Sequence, residues 1–284
     1  MANLSSLNVG GKQISNISGL EYAVNLTELW IFSNNISDLS PISNLTNLRT
    51  LYAYQNQVSD ISPLSNLTNL TFLNVGGNGI TDITPLADLT KIDTLWLNDQ
   101  GNLSDISTLS NLTELSYLQI GGNNISDLSP FSTLPKLKNL FIPNNQISNI
   151  SALANLTTLE SLEFDENEVI DISPLSNLTN LTELYFAVNQ VSNIHYLENL
   201  TALTKLGFDE NQVSGISTLS SLTNLTELYL NENGISNISP ITGLNNLTNL
   251  ELSNNNLSAT SSGWSEVITM CASIDCDDWT NNQN

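Results

Sequence analysis

His195 is the only histidine in 284 residues, and Cys271 and Cys276 are the only cysteines. A Cys–His nucleophile or a zinc site needs these residue types gathered in one place. One mid-chain histidine and two tail cysteines do not supply that. The five-residue step between the cysteines could close a small disulfide loop, or leave two reduced thiols. Carboxylates are plentiful, 28 against six Lys and Arg, for a net charge of −22. A carboxylate pair could act as acid and base, but only inside a cleft. No acidic loop has the spacing of an EF-hand, although carboxylates of adjacent segments could still converge on calcium. Gly76-Gly77 and Gly121-Gly122 lie in turns and make no phosphate loop. The chain reads as non-enzymatic, with no cofactor and no metal. Its remaining chemistry lies in aromatic and acidic side chains, and their meaning depends on what positions them.

The positioning elements are repeats. Leucine, once isoleucine, stands at residues 4, 26, 48, 70, 92, 115, 137, 159, 181, 203, 225 and 247. Every step is 22 residues except the 23 between Ile92 and Leu115. A fixed period of this length means a solenoid, whose repeats share one continuous core.

With Leu26 as position one, positions four and six are apolar, as in Leu29 and Ile31 or Leu228 and Leu230. That alternation predicts a short strand with one buried face. Position nine is nearly always Asn, as in Asn34, Asn56, Asn145 and Asn233, with departures at Lys12 and near Gly101. A stacked Asn can bond the backbone of its own turn and of the next repeat. A Ser/Thr-Pro step follows in many repeats, such as Ser62-Pro63. Ser62 is expected to cap a short turn that opens on Pro63. About five residues remain before the next repeat, so that turn is expected to be 3₁₀. His195 replaces the turn's Ser and belongs to this outer, convex side.

The unit Leu-x-x-Leu-x-Leu-x-x-Asn-x-Ile resembles the leucine-rich repeat family in its 22-residue subtype, shared by bacterial internalins and eukaryotic phosphatase regulators. Residues 225–246 match it closely, through Leu225, Leu228, Leu230, Asn233, Ile235, Ile238, Pro240, Ile241 and Leu244. The resemblance implies an α/β solenoid of about 12 repeats, a curved horseshoe. It would have a parallel sheet on the concave face and short 3₁₀ turns on the convex face. Residues 1–257 would form the solenoid. Residues 258–284 would form a C-terminal cap and a disordered end, with Trp264, Val267, Ile268, Met270 and Trp279 covering the last repeat. Internalins carry a helical cap before the first repeat; none stands before Leu4, and the expectation is either a trimmed start or a cap lost upstream.

Function should lie on the outward strand positions, where the scaffold leaves residues free. Ten of the eighteen aromatic residues fall there: Trp30, Phe32, Tyr52, Tyr54, Phe72, Trp96, Tyr117, Phe141, Tyr185 and Tyr229. Aromatics pair across strands for structural reasons alone, yet eight within repeats two to seven make an exposed apolar patch of the kind that marks interaction sites. The later repeats are acidic instead, at Glu163, Asp165, Glu166, Asp209, Glu210 and Glu232. This reads either as a solvated rim or as a steering surface for a basic partner. The extra residue in the fifth repeat, within residues 98–102, is expected to bulge the turn and interrupt the Asn ladder. It is either drift in a tolerant loop or a kink that presents Trp96 and Asp99.

Residues 1–157 carry a net charge of −6, and residues 158–284 carry 17 acids and one base. Such a surface repels nucleic acid and anionic lipid. No apolar run approaches the roughly 18 residues of a membrane span. The expectation is a monomeric, secreted or cell-surface bacterial recognition and adhesion module. Its concave patch would bind a protein ligand, basic or neutral. Carbohydrate is a second ligand class, and an intracellular scaffold of the phosphatase-regulator type is the rival. The Asn-Leu-Thr sequons follow from the repeat and are not read as glycan sites.

Overall fold

The computed structural model of the chain describes residues 3–276. Trp279 and the final residues of the expected cap lie outside that range. Contacts gather the chain into two units, residues 1–146 and 147–284.

The first unit holds seven three-residue strands: β1 (Ser6–Asn8), β2 (Glu28–Trp30), β3 (Thr50–Tyr52), β4 (Phe72–Asn74), β5 (Thr94–Trp96), β6 (Tyr117–Gln119) and β7 (Asn139–Phe141). Each pairs in parallel with the next, equal repeat positions opposite one another, as in Leu29↔Leu51. Position four points into the core, and positions three and five point to the open face. Leu48, Leu51, Ala53, Val58, Leu64 and Leu67 of one repeat have no accessible surface. Burying side chains of this size contributes about 1.5–3 kcal/mol each. The outer side of each repeat is a 3₁₀ turn, for example Ser62–Leu64.

The serine is not the cap of that turn. The turn begins at the serine itself, and the cap position, Ile61, makes no side-chain bond. Asp60, two residues before the serine, does the work. Its Oδ1 accepts from Ser62 N at 2.8 Å, and its Oδ2 accepts from Ser62 Oγ at 3.0 Å. Asp38 and Asp127 repeat the arrangement on Ser40 and Ser129. A short carboxylate two residues upstream reaches backbone N–H groups that the serine hydroxyl would reach only if it preceded the turn. The bonds from Ser40 and Ser62 hold the exposed Asp38 and Asp60 carboxyls below the usual carboxylate range.

The asparagine ladder is present and reaches backwards. Asn56 Nδ2 donates to Ala53 O and Tyr54 O in its own turn and to Ile31 O of the preceding repeat. Its Oδ1 accepts from Ile36 N, also in the preceding repeat. The fifth repeat does not break the ladder. Gln100 takes the asparagine's place, 5% exposed. Its Oε1 accepts from Ile80 N and its Nε2 donates to Val75 O and Asn98 O. The extra residue is taken up beside it at Gly101, where φ is +79°. The pairing Leu95↔Leu118 runs on without a bulge, so the insertion alters the turn and leaves the sheet intact.

The second unit repeats the plan with β8 (Ser161–Glu163), β9 (Glu183–Tyr185), β10 (Lys205–Gly207), β11 (Glu227–Tyr229), β12 (Asn249–Glu251) and a short last strand, β13 (Asp275–Cys276), all parallel. In the repeats of β8, β9 and β10 position six is phenylalanine, and in those of β11 and β12 it is Leu230 and Leu252. Phe164, Phe186 and Phe208 are fully buried and stack at 5.5 and 5.4 Å under the sheet. Helix α1 (Trp264–Cys271) follows the last repeat, with Gly263 at its N-cap. Of its apolar residues Val267 is fully buried, whereas Ile268 is 37% exposed. Cys271 and Cys276 are joined as a disulfide with Cα atoms 5.5 Å apart, tying the end of α1 to β13. Among the described residues no helix is long and apolar enough to cross a membrane.

Candidate ligand-binding face

In the first unit, six of the expected site residues form one ladder of rings on the open face. Trp30 stacks on Tyr52 at 5.9 Å, and Tyr52 meets Phe72 at 4.4 Å. Phe72 meets Trp96 at 6.4 Å, Trp96 meets Tyr117 at 5.9 Å, and Tyr117 meets Phe141 at 5.3 Å. The ladder zigzags. Where position five is Asn74 or Gln119, the ring comes from position three of the same repeat, Phe72 or Tyr117. Beside it, Phe32 and Tyr54 make a second column, stacked at 4.8 Å with rings 2° from parallel. Contacts of this kind contribute about 0.5–1.5 kcal/mol beyond burial, so part of the patch supports itself. Its outer edges stay half-exposed. Trp96 Nε1 is the exception, a buried N–H with no acceptor in the structure.

Between the columns lies an open groove of about 660 Å³, lined by Trp30, Tyr52, Tyr54 and Trp96 together with Asn74, Gly76, Asn98 and Asp99. Sequence reasoning missed Asn74, Gly76 and Asn98, and reached Asp99 only through the irregular fifth repeat. Their signal was small or polar residues at outward positions of repeats four and five, flanked by rings.

In the second unit, the two expected aromatics meet across a missing side chain. Tyr185 and Tyr229 lie 6.5 Å apart with Gly207 between them in the row. A Cβ at Gly207 would come within 2.8 Å of the Tyr185 ring. Lys205, another residue the sequence reading passed over, stands between Glu183 and Glu227 at 3.6 and 3.5 Å. Tyr229 OH donates to Glu227 Oε2 at 2.9 Å and accepts from Asn249 Nδ2 at 3.1 Å. Burial, helped by the Glu227 and Glu183 carboxylates, pushes the Tyr185 phenol up.

The expected acidic residues divide into two sets. Glu166, Glu210 and Glu232 are exposed at position eight, with φ near +52°. Glu163, Asp165 and Asp209 are half-buried on the sheet. Asp165 Oδ1 accepts from Ala187 N at 2.6 Å, and Asp209 Oδ1 accepts from Asn231 N at 2.7 Å. Burial raises the Asp165 carboxyl to about 7, against the lowering effect of the Ala187 bond and with help from the charges of Glu163 and Asp209.

Asp165 therefore binds its proton more tightly folded than unfolded. Stability conferred by that proton is complete below the ordinary carboxylate range and is lost as pH rises from about 4 to about 7. After allowance for solvent screening, the loss is roughly 1–2 kcal/mol. Asp165→Asn should flatten this slope while keeping the bond to Ala187 N, as Asn231 does for Ser253 N. Urea midpoints across pH 4–8 measure it; an unchanged slope in the variant refutes the assignment.

Among the described residues, no cluster of three or more His, Cys, Asp or Glu could hold a metal ion. His195 is exposed, with Nδ1 3.6 Å from Glu198 Oε2 on an outer turn.

The family model for leucine-rich repeats in two copies matches residues 24–66, 68–111, 113–155, 201–243 and 223–266. The chain belongs to the leucine-rich repeat family. Within it, this internalin-like protein is 36% identical to an internalin, InlF, of Listeria monocytogenes. The TM-score is 0.94, over 99% of this chain and 88% of that one. Internalin C2 of the same bacterium is 32% identical with a TM-score of 0.59, over 73% of this chain and 81% of that one. A plant peptide hormone receptor, RGFR1, solved in complex with RGF2, shares the fold at 22% identity and a TM-score of 0.74, over 98% of this chain and 55% of that one. No curated protein matches the chain.

Proposed function

We propose that this internalin-like protein is a non-enzymatic, monomeric recognition and adhesion module, secreted or displayed on a bacterial surface. Its protein ligand would dock on the aromatic open face of the first unit. The observation that carries the reading is the six-ring ladder from Trp30 to Phe141, apolar and half-exposed on a chain of net charge −22. Large stiff rings left on a surface are characteristic binding hot spots. The resemblance to internalins and the Cys271–Cys276 disulfide support an exported protein. The exposed carboxylates Glu166, Glu210 and Glu232 would steer a basic partner toward the second unit.

The test is binding of fluorescently labelled protein to the surface of intact cells. Trp30→Ala combined with Tyr52→Ala should reduce binding about 1000-fold, since hot-spot truncations cost about 2 kcal/mol or more each. Circular dichroism should stay close to wild type and the thermal midpoint should fall only modestly, because both rings stand outside the core and take with them two ring contacts. Undiminished binding by the folded double variant would refute the assignment.

A further inference from the structure

The aromatic face has one gap. In the row formed by position seven, Tyr54 and Asn98 are two repeats apart, and the residue between them is Gly76. Strands about 4.8 Å apart place the backbones of Tyr54 and Asn98 roughly 10 Å apart, and the groove opens between the Tyr54 ring and the Asn98 amide. One face of the Tyr54 ring is covered by Phe32 at 4.8 Å. Tyr54 and Gly76 line the same groove.

The opposite wall has a defined polarity. A Cβ on Gly76 would lie 2.6 Å from Asn98 Oδ1, so the asparagine leans over the glycine with its oxygen foremost. Its nitrogen is turned away and donates to Asp99 Oδ2 at 2.6 Å. That bond sets the orientation of the amide. The wall thus offers an amide oxygen backed by a carboxylate, both acceptors. No Lys or Arg lines the groove.

The complement of an aromatic face opposite an acceptor wall is a flat, cationic group that only donates. Guanidinium has these properties: it is planar, stacks on rings, carries five N–H donors and accepts nothing. An ammonium group lacks the plane, and a sugar hydroxyl, although it can donate to these oxygens, brings no positive charge to the Asp99 carboxylate. We infer that the gap over Gly76 is a subsite for an arginine side chain of the protein ligand. The inference rests on the proposed role of the open face in binding protein.

The test titrates the ¹⁵N-labelled full chain with acetyl-Gly-Arg-Gly-amide and follows the amide signals of Gly76, Gly77 and Asn98. The matching lysine and citrulline tripeptides and the disaccharide cellobiose serve as comparisons. The arginine peptide should shift these signals with about tenfold higher affinity than citrulline and severalfold higher than lysine, and should weaken with salt. Gly76→Ala should abolish the response, since the new methyl pushes the flexible Asn98 amide into the gap without moving backbone. Tyr54→Leu removes the stacking face and should do the same. No response to the arginine peptide, with or without one to cellobiose, equal binding by citrulline, or retained arginine binding in Gly76→Ala would overturn the subsite. Each of these outcomes is independent of the cell-binding result for Trp30 and Tyr52, which alone decides the wider reading.

Discussion

Gly263→Ala will release the C-terminal helix from the last repeat. Gly263 adopts φ +86°, the left-handed region that side chains resist. A Cβ there would stand 2.6 Å from Ser239 N, 2.7 Å from Ser239 Cα and 2.9 Å from Ile238 C. All three atoms are backbone, so no rotamer change relieves the overlap. The neighbouring bond from Ile238 N to Ser262 O, 3.0 Å long, fixes the two segments against each other. Strain and overlap together should cost roughly 3–5 kcal/mol, enough to expose Val267 and the apolar end of the last repeat. Hydrogen exchange in residues 264–271 should rise sharply, with a lower thermal midpoint. Gly243→Ala, whose Cβ meets nothing within 4 Å, is the matched control and should be nearly neutral. Helix amides as protected in Gly263→Ala as in wild type would refute the close approach.

The second large effect is expected from Asn145→Leu, a substitution of similar size in the ladder. Asn145 is 9% exposed. Its Nδ2 donates to Ile120 O, Ile142 O and Pro143 O, each at 3.2 Å, and its Oδ1 accepts from Ile125 N at 3.0 Å. Leucine satisfies none of these groups, and Ile125 N lies where water cannot replace the lost acceptor. A buried group left unpaired costs about 1–3 kcal/mol, so the combined loss should be roughly 3–4 kcal/mol. Urea unfolding at neutral pH measures it. A loss under 1 kcal/mol would mean that the backbone finds other partners and the ladder does not hold the repeats together.

Both substitutions strike the scaffold, and the scaffold was the more legible part. Leu26, Leu29, Ile31, Asn34 and Ile36 each do in one repeat what their equivalents do in the next, and the contact partner of each is the residue 22 positions away. A period in sequence is then a contact map, and the buried residues follow from it. The turn chemistry was read one step out of place. Asp60 and Ser62 are both turn-forming residues two positions apart, and only the start of the turn tells which one accepts the backbone bond. The supposed break at the fifth repeat failed for a related reason. Gln100 has the same amide as asparagine on a longer arm, and an exact match to Asn hides that equivalence.

The aromatic row was legible as a row and not as a surface. Register alone places Trp30 beside Tyr52, but it does not join Phe72 and Tyr117 from position three to rings from position five. That depends on how side chains lean once Asn74 and Gln119 leave space. Nor does the residue string distinguish Asp165, half-buried and bonded to Ala187 N, from the exposed Glu166 next to it. What the sequence by itself determined was the repeating scaffold, because burial of the leucines and pairing of the asparagines are set by residue type and a fixed period. What only the tertiary structure decided was the open face. There, the continuous ring ladder, the groove beside Gly76, the acceptor wall of Asn98 and Asp99, and the burial that raises the Asp165 carboxyl all depend on side chains from two or three repeats meeting in space.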